Sequence, residues 1–484
     1  MDVQYKSEHE LFVLSDGGGS ALVVAVCIMH APVLVTICKI CNTLVSADST
    51  LSIILEFLIV IYPLLLIVTV LSKFIIESFA VLTVLLIVLY FVFVYNSKNS
   101  ASRKSDINQT TDLLQPNRKY FISVFKGINV LLTIISILAV DFKVFPRSFA
   151  KTEGYGIGLM DVGVATFIIS SALTSRAARG IDAKTRNSVN NEVFTSVKST
   201  DHWTKCVLPF LSIQKLAVLL LGLMRLVILK VSNYHEHITE YGVHWNFFVT
   251  LFLIWTVTDV CNFIVPPNVL VALAVLLLCV YQYMLLTCGL GYYILSDERT
   301  DFISANKEGI FSLLGCIPLY IITQQLSKGL FFHASPNENK TNSPPRKGET
   351  KIRQKLIANM VMCSLTLWIL WGVTNTFVEE MSRRLMNIAF VTFTLAISFS
   401  VLSFLAISED IFEMTVTGSV ITLECMNTYQ LQIFLFANAL TGVINMAIKT
   451  IYVNNTYAVL LLALYCFVVI YPFYLHKTLT TKGS

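Results

Sequence analysis

Acidic and basic side chains crowd the short connection that follows one long apolar segment of the chain. Asp141 ends that segment, Lys151 follows ten residues later, and Pro146 lies between them. Proline fixes its own φ and favours an extended residue before it, so the chain can turn here and bring Lys151 back toward Asp141. A carboxylate beside an ammonium stays ionised and can accept the proton of a hydroxyl, while the ammonium stabilises an oxyanion. The pair predicts attack of a hydroxyl on a carbonyl group; the alternative is an ion pair that only fixes the loop.

Other ionisable residues share this connection, and three of them are candidates for binding substrate: Arg147, Glu153 and Asp161. The guanidinium of Arg147 matches phosphate oxygens, so we expect it to bind a phosphate of a lipid or of coenzyme A. The glycines nearby permit close approach of a helix or a ligand. They are not a dinucleotide-binding fingerprint, because no strand precedes them.

Polar residues also gather where three other apolar segments begin. His244, an alternative general base, precedes Asn246, but a histidine beside Trp245 is also typical of an interfacial anchor. The other two clusters supply basic, acidic and amide side chains. Asn246 and the residues of these two clusters are candidates for binding substrate: Asn306, Lys307, Glu308, Arg383 and Arg384. By the span count given below, these three clusters and the Asp141 connection lie on one side of the membrane, which predicts a common site.

Composition identifies the membrane as the environment of this chain. Of its 484 residues, 55% are hydrophobic and 13% are charged, and so little charge could not cover that much apolar side chain in water. The net charge of +5 is small and confined to loops, which argues against nucleic-acid binding. Cys38 and Cys41 form one CxxC pair without a second pair or a nearby histidine, so we predict no metal site.

Apolar runs of roughly 20 residues, the length that crosses a bilayer, recur along the whole sequence. They predict an all-α polytopic membrane helix bundle of about 13 transmembrane helices, forming a single domain over residues 1–484. The spans centre near residues 31, 61, 85, 130, 168, 218, 254, 277, 319, 364, 395, 441 and 466. Within them, Arg225 and Asp259 are predicted to pair, and Glu56 to find a partner inside the bundle.

The distribution of basic residues predicts the orientation. Loops 95–120, 176–205 and 328–355, which we expect to be flexible, and the C-terminal tail fall on one side and hold twenty lysines and arginines. The positive-inside rule makes that side cytosolic. The polar N-terminus, residues 1–20, and the Asp141 loop are then expected on the lumenal side.

Five sequence blocks form a recognisable pattern along the chain. The first is Val-Asp-Phe-x-x-Phe-Pro-Arg-x-Phe-Ala-Lys-Thr-Glu with Leu-Met-Asp-Val-Gly-Val, over residues 140–164. The others are Gly-Val-His-Trp-Asn-Phe-Phe from 242, Asn-Lys-Glu-Gly-Ile-Phe-Ser from 306, Ser-Arg-Arg-Leu from 382, and Ala-Asn-x-Leu-Thr-Gly-x-x-Asn over 437–445. In this order the blocks resemble the PIG-W-type inositol acyltransferase family of glycosylphosphatidylinositol (GPI) anchor biosynthesis. The last block adds Asn438 to the candidate binding residues. The chain departs from the family pattern at Ala165, where a glycine is expected, and at Leu314 and Cys316, where a proline and a tyrosine are expected.

The resemblance implies a multi-pass enzyme of the endoplasmic reticulum membrane. Such an enzyme moves a long acyl chain, palmitoyl in the usual case, from acyl-CoA to the inositol of glucosaminyl-phosphatidylinositol. It implies acyl-CoA as a co-substrate and no bound cofactor, and it favours Asp141 and Lys151 as the catalytic pair. The alternative function is a multi-span lipid transporter or flippase, which the lack of internal repeats disfavours.

Overall fold

A computed structural model describes residues 5, 8, 9, 11, 12, 18–45, 49–99, 120–180, 212–232, 238–332, 347–411 and 420–482. Most of the loops 95–120, 176–205 and 328–355 and much of the N-terminus lie outside this part of the chain. Within it, the structure is almost entirely helical. The one extended pairing there is a single bridge between Gly19 and Ile157.

Fourteen helices of eight or more residues organise the described residues. In chain order they are α1 (Ala21–Val45), α2 (Leu51–Val68), α3 (Val70–Asn96), α4 (Tyr120–Ala139), α5 (Leu159–Leu173), α6 (Ile213–Ser232), α7 (Phe247–Ile264), α8 (Pro267–Thr287), α9 (Lys307–Phe332), α10 (Lys347–Phe377), α11 (Ile388–Ile411), α12 (Ile421–Thr428), α13 (Gln430–Ala447) and α14 (Asn455–Lys482).

All thirteen predicted span centres fall on helices, which confirms the all-α polytopic bundle. Eleven of these helices are long and apolar enough to cross a membrane. The other two are α5 and α6. Helix α5 has 15 residues, which span only about 22 Å at 1.5 Å per residue. Helix α6 is long enough at 20 residues but carries Lys215, Arg225 and Lys230.

The chain divides into two compact units. The first comprises Met1–Thr152, Gly156–Gly163 and Phe399–Ser484, and the second comprises Glu153–Tyr155 and Val164–Ser398. Each unit therefore combines segments that are distant in sequence. Asp141, Arg147, Lys151, Asp161 and Asn438 belong to the first unit, and the other sequence-predicted site residues belong to the second.

Helices α1 and α4 form the interior of the first unit. In their most apolar stretches, 72% of the residues of α1 and 78% of those of α4 are buried. In α3 the corresponding share is 0%, so this helix presents its apolar side chains outward, as a lipid-facing helix does. Helix α4 packs against α12, α13 and α14. The end of α4, where Asp141 follows, is thereby enclosed by protein.

Glu56 holds the start of α12 in the first unit. Its carboxylate accepts the backbone N–H groups of Ile421 at 2.9 Å and Thr422 at 2.8 Å, while the Tyr120 hydroxyl accepts the N–H of Val420 at 2.9 Å. The first N–H groups of a helix have no partner within the helix, and a carboxylate there also meets the favourable end of the helix dipole. The partner of buried Glu56 is thus a helix terminus.

In the second unit, α8 packs on α9 and α6 packs on α7. The prediction that Asp259 pairs with Arg225 is wrong, because the Asp259 carboxylate lies 2.5 Å from the ammonium of Lys215. Lys215 and Arg225 are ten residues apart on α6, about 15 Å along its axis. Asp259 lies near the end of α7, and the ion pair shows that this part of α7 lies beside the first turn of α6. That turn carries Lys215, whereas Arg225 lies farther along α6.

Candidate active site

Asp141 lies directly after α4 as a buried carboxylate with two partners. The side-chain amide of Asn445, on α13, donates to Asp141 Oδ2 at 2.8 Å, and Nε2 of His9 lies 3.3 Å from Oδ1. A carboxylate offers about four lone-pair positions, so two contacts leave room for a further donor. The arrangement therefore supplies a held carboxylate that can still accept a proton.

Arg147 caps α4, the helix that ends just before Asp141. One guanidinium nitrogen donates to the carbonyl of Val140 at 2.7 Å and to that of Phe145 at 3.2 Å. The last carbonyls of a helix need such outside donors. Burial lowers the pKa of Arg147 to about 10, although the negative charge of Asp141 opposes that shift. The structure thus shows Arg147 engaged with backbone carbonyls.

The half-buried Lys151 lies in the loop after Asp141. The partners that the structure gives for Asp141 are His9 and Asn445, so the direct Asp141–Lys151 ion pair stays a prediction. The next residue, Thr152, is fixed to Asp161. Lys151 therefore precedes a firmly anchored point of the loop.

Asp161 closes this loop from the first turn of α5. Its carboxylate accepts the backbone N–H and hydroxyl of Thr152 at 3.2 and 3.0 Å and the N–H of Gly158 at 2.7 Å. Gly158 is required here because a Cβ atom would lie 1.8 Å from the carbonyl oxygen of Ala150. Asp161 is completely buried, and its hydrogen bonds to Thr152 and Gly158 shape the loop that holds Lys151.

His9 and Asn445 are the two residues at Asp141 that sequence reasoning missed. Asn445 stands in the quoted Ala-Asn-x-Leu-Thr-Gly-x-x-Asn block, two helical turns after Asn438. Asn438 itself is exposed and donates to the carbonyl of Phe434 at 2.7 Å. The three consecutive glycines at residues 17–19 were a sequence signal that the N-terminus packs closely against the rest of the chain. A Cβ atom on Gly18 would lie 2.3 Å from the carbonyl oxygen of Ile157.

In the second unit, the segments before α7 and α9 pair through their backbones. The N–H of Val243 donates to Ala305 at 2.9 Å, and the N–H of Gly309 donates to Tyr241 at 2.9 Å. Gly242 lies between them with φ +112°, and a Cβ atom there would lie 2.5 Å from Asn306 Cα. Two of the predicted polar clusters are thus brought together.

The amides of this region serve the backbone. Asn246 caps α7, because its side-chain oxygen accepts the N–H groups of Phe248 and Val249 at 3.1 and 3.2 Å. Asn306 accepts the backbone N–H of His244 at 2.7 Å. The imidazole of His244 is exposed and stacks against the ring of Phe302, with 6.2 Å between centroids. These contacts are typical of residues that anchor the start of a helix.

Glu308 lies at the centre of a buried ion-pair network. Its carboxylate is 2.6 Å from Arg299 and 3.0 Å from Arg384, and Arg384 also donates to the carbonyl of Glu153 at 2.6 Å. The ammonium of Lys307 donates to the Ser296 hydroxyl at 2.7 Å. Removing one member of a buried pair typically costs about 3–5 kcal/mol. The network therefore ties the predicted Arg384 cluster to the Glu308 cluster.

A recess beside this network is lined in part by Glu240, Tyr241 and Arg383. Burial raises the pKa of Tyr241, and the positive charges of Arg383 and Arg225 oppose that shift. Arg383 is itself buried. Among the described residues, no group of three or more His, Cys, Asp or Glu side chains is placed to hold a metal ion.

Comparison with known proteins shows which family this chain belongs to. The sequence model of the GWT1 family matches residues 5–476. The phosphatidylinositol-glycan biosynthesis class W protein of Dictyostelium discoideum is 30% identical over 96% of both chains. The GPI-anchored wall transfer protein 1 of Saccharomyces cerevisiae is 30% identical over 98% of both chains, and that of Candida glabrata is 31% identical over 98% of both. The resemblance read from the sequence blocks is confirmed: this chain belongs to the GWT1 family, whose multi-pass membrane proteins act in GPI-anchor biosynthesis.

Proposed function

We propose that this protein transfers a long acyl chain, palmitoyl in the usual case, from acyl-CoA to an inositol hydroxyl of glucosaminyl-phosphatidylinositol. The observation that carries the proposal is the carboxylate of Asp141, buried at the end of α4 and held by Asn445 with capacity for one more donor. A carboxylate so placed suits the acceptance of a hydroxyl proton. Membership of the GWT1 family supplies the pathway.

Asp141 and Lys151 take complementary roles in this reaction. Asp141 accepts the proton of the inositol hydroxyl as its oxygen bonds to the thioester carbonyl carbon. The ammonium of Lys151 stabilises the oxyanion that develops on the carbonyl oxygen, and the carbon–sulfur bond then breaks to release coenzyme A. His244, exposed and stacked on Phe302, is the weaker base candidate because its surroundings are those of an anchor.

Among the proposed substrate-binding residues, Arg383 lines the recess of the second unit together with Tyr241. A guanidinium pairs well with phosphate oxygens, so we assign Arg383 to an anionic headgroup. Arg147, Asp161, Asn246, Asn306, Lys307, Glu308 and Arg384 are bound to neighbouring protein groups, so their contribution is to hold the surrounding loops. Acyl-CoA enters as a co-substrate, without a resident cofactor.

The proposed location is the endoplasmic reticulum membrane, with the N-terminus lumenal and the C-terminus cytosolic. The apolar side chains of α3 supply the contact with the bilayer. The basic loops supply the orientation through the positive-inside rule.

Purified protein in lipid nanodiscs tests this function directly. Incubated with palmitoyl-CoA and glucosaminyl-phosphatidylinositol, it is expected to release free coenzyme A and to form the inositol-acylated lipid in equal amounts. A lipid transporter would move the lipid without releasing coenzyme A. Absence of both products under conditions in which the protein is folded would overturn the proposal.

A further inference from the structure

The described residues of the N-terminal segment, within residues 5–12, are anchored to the first unit at three points. The Tyr5 hydroxyl lies 3.2 Å from the Thr450 hydroxyl, and the Glu8 carboxylate accepts a hydrogen bond from the Tyr452 hydroxyl. The guanidinium carbon of Arg147 lies 4.2 Å from the ring centre of Phe12. Two anchors lie on the connection after α13, and one lies on the loop after Asp141. His9, between Glu8 and Phe12, is therefore held against the structure.

His9 contacts the carboxylate on the side that Asn445 leaves open. Its Nε2 is 3.3 Å from Asp141 Oδ1, whereas the Asn445 amide binds Oδ2 at 2.8 Å. The His9 ring also packs against that of Tyr5, with 5.9 Å between centroids. Each carboxylate oxygen thus has one nitrogen atom beside it, an arrangement that restricts the rotation of the carboxylate and leaves room for a further donor.

The other charged and titratable groups around this pair are engaged elsewhere. The Arg147 guanidinium binds the carbonyls of Val140 and Phe145, and Glu8 binds Tyr452. The Lys449 ammonium lies 5.7 Å from the ring centre of Tyr5, and the Tyr465 hydroxyl contacts the carbonyl of Ala437 at 3.3 Å. Among the described residues, His9 is the titratable group that directly contacts Asp141.

We propose that His9 belongs to the active site as a positioning residue for acyl transfer. This inference rests on the proposed function. The imidazole of His9 approaches Oδ1 of Asp141 through Nε2 and holds the orientation of the carboxylate. During the reaction the hydroxyl proton passes to Asp141, the new carbon–oxygen bond forms, and the thiolate of coenzyme A leaves and is then protonated. His9 touches no reacting atom.

The split between kcat and KM distinguishes this role from simple packing. A residue that orients Asp141 acts on the reacting hydroxyl, so its loss should lower kcat while substrate binding is kept. For His9→Phe, which keeps a ring against Tyr5 and removes the nitrogen, we expect a fall in kcat of about tenfold. KM for the lipid acceptor should change little.

Two companion variants complete the test, each measured as full-length protein in nanodiscs. His9→Lys restores a nitrogen donor and is expected to recover most of the kcat. His476→Ala removes an exposed histidine of the last helix, which contacts Tyr429, and it should leave kcat and KM unchanged. Thermal unfolding midpoints establish that each variant is folded.

Three results would overturn the inference. A His9→Phe protein with the parental kcat would show that the contact is incidental. A His9→Lys protein as inactive as His9→Phe would show that the imidazole itself carries the proton, rather than positioning Asp141. Should His9→Phe fail to fold, a folded His9→Lys protein with a kcat lowered about tenfold would equally contradict it. An inactive parent protein would instead contradict the proposed function, so the two failures are distinguishable.

Discussion

At the scale of single residues, the chemistry of this protein depends on how a carboxylate is held. Asp141 is buried where α4 ends, and its two nitrogen partners come from opposite ends of the sequence. Arg147 caps the helix just before it, and Asp161 closes the loop just after it. The position of Asp141 is therefore determined from both sides of the chain and across the fold.

Asn445 should be required for fast turnover, whereas Asn438 should not. Asn445→Ala removes the 2.8 Å hydrogen bond to Asp141 and is expected to lower kcat by about tenfold or more. A hydrogen bond to a charged group contributes about 1.5–3 kcal/mol, and 1.4 kcal/mol corresponds to tenfold. Steady-state acyl-transfer kinetics would measure this.

Asn438→Ala, on the same helix, is the matched control, because the Asn438 side chain is exposed and donates to the carbonyl of Phe434. It should behave like the parent. Equal losses in the two variants would indicate damage to α13 rather than to the Asp141 contact.

At the scale of elements, the sequence predicts the helices well because the bilayer sets their length. Each predicted centre falls on a helix, including α5 and α6, whose length or charge falls outside the usual limits for a span. Side-chain partners were harder to predict. Asn445 is 304 residues from Asp141 along the chain, and Asp259 pairs with Lys215 instead of Arg225. The packing of separate helices determines such contacts, so the local sequence does not predict them.

The roles of several polar residues could be predicted only as clusters. The blocks that contain Asn246, Asn306 and Arg384 stand out in the sequence as polar entrances to apolar helices. Whether such a residue binds a ligand or the backbone depends on groups that fold beside it, such as Gly222 beside Asn246 at 2.9 Å. Local pattern does not carry that information.

The paired segments before α7 and α9 should tolerate no side chain at Gly242. Gly242→Ala is expected to lower the free energy of unfolding by at least about 1 kcal/mol, because φ is +112° and the added Cβ would lie 2.5 Å from Asn306 Cα. Thermal unfolding in detergent would measure the loss.

Gly154→Ala is the corresponding control, since a Cβ atom at Gly154 would meet nothing within 4 Å. It should unfold close to the parental temperature. A Gly242→Ala protein as stable as the Gly154→Ala protein would show that the close approach of these segments is not required.

At the scale of the whole molecule, the placement of basic residues predicts which loops face the cytosol. An acceptor site for N-glycosylation inserted near Ser232 should be modified, and one near Lys340 should not. The natural sequons at Asn108 and Asn339, which lie outside the described residues, should also stay unmodified. Mobility shifts after glycosidase treatment would report each site. Glycans on Asn108 or Asn339 would reverse the predicted orientation.

The account as a whole depends on Asp141 as the proton acceptor. Asn keeps the size and much of the hydrogen bonding of Asp but cannot act as a carboxylate base, so Asp141→Asn should lower the rate of acyl transfer by about 10²–10⁴ while the protein still folds. Lys151→Ala should cost about 10²–10³. The double variant should lose much less than the product of the two, since groups that act as a unit fail together.

The decisive measurement is turnover of palmitoyl-CoA and glucosaminyl-phosphatidylinositol by the purified Asp141→Asn protein, compared with His244→Ala. We expect Asp141→Asn to be nearly inactive and His244→Ala to be modestly slowed. Near-normal turnover by Asp141→Asn together with an inactive His244→Ala would assign the base to the histidine and contradict the account.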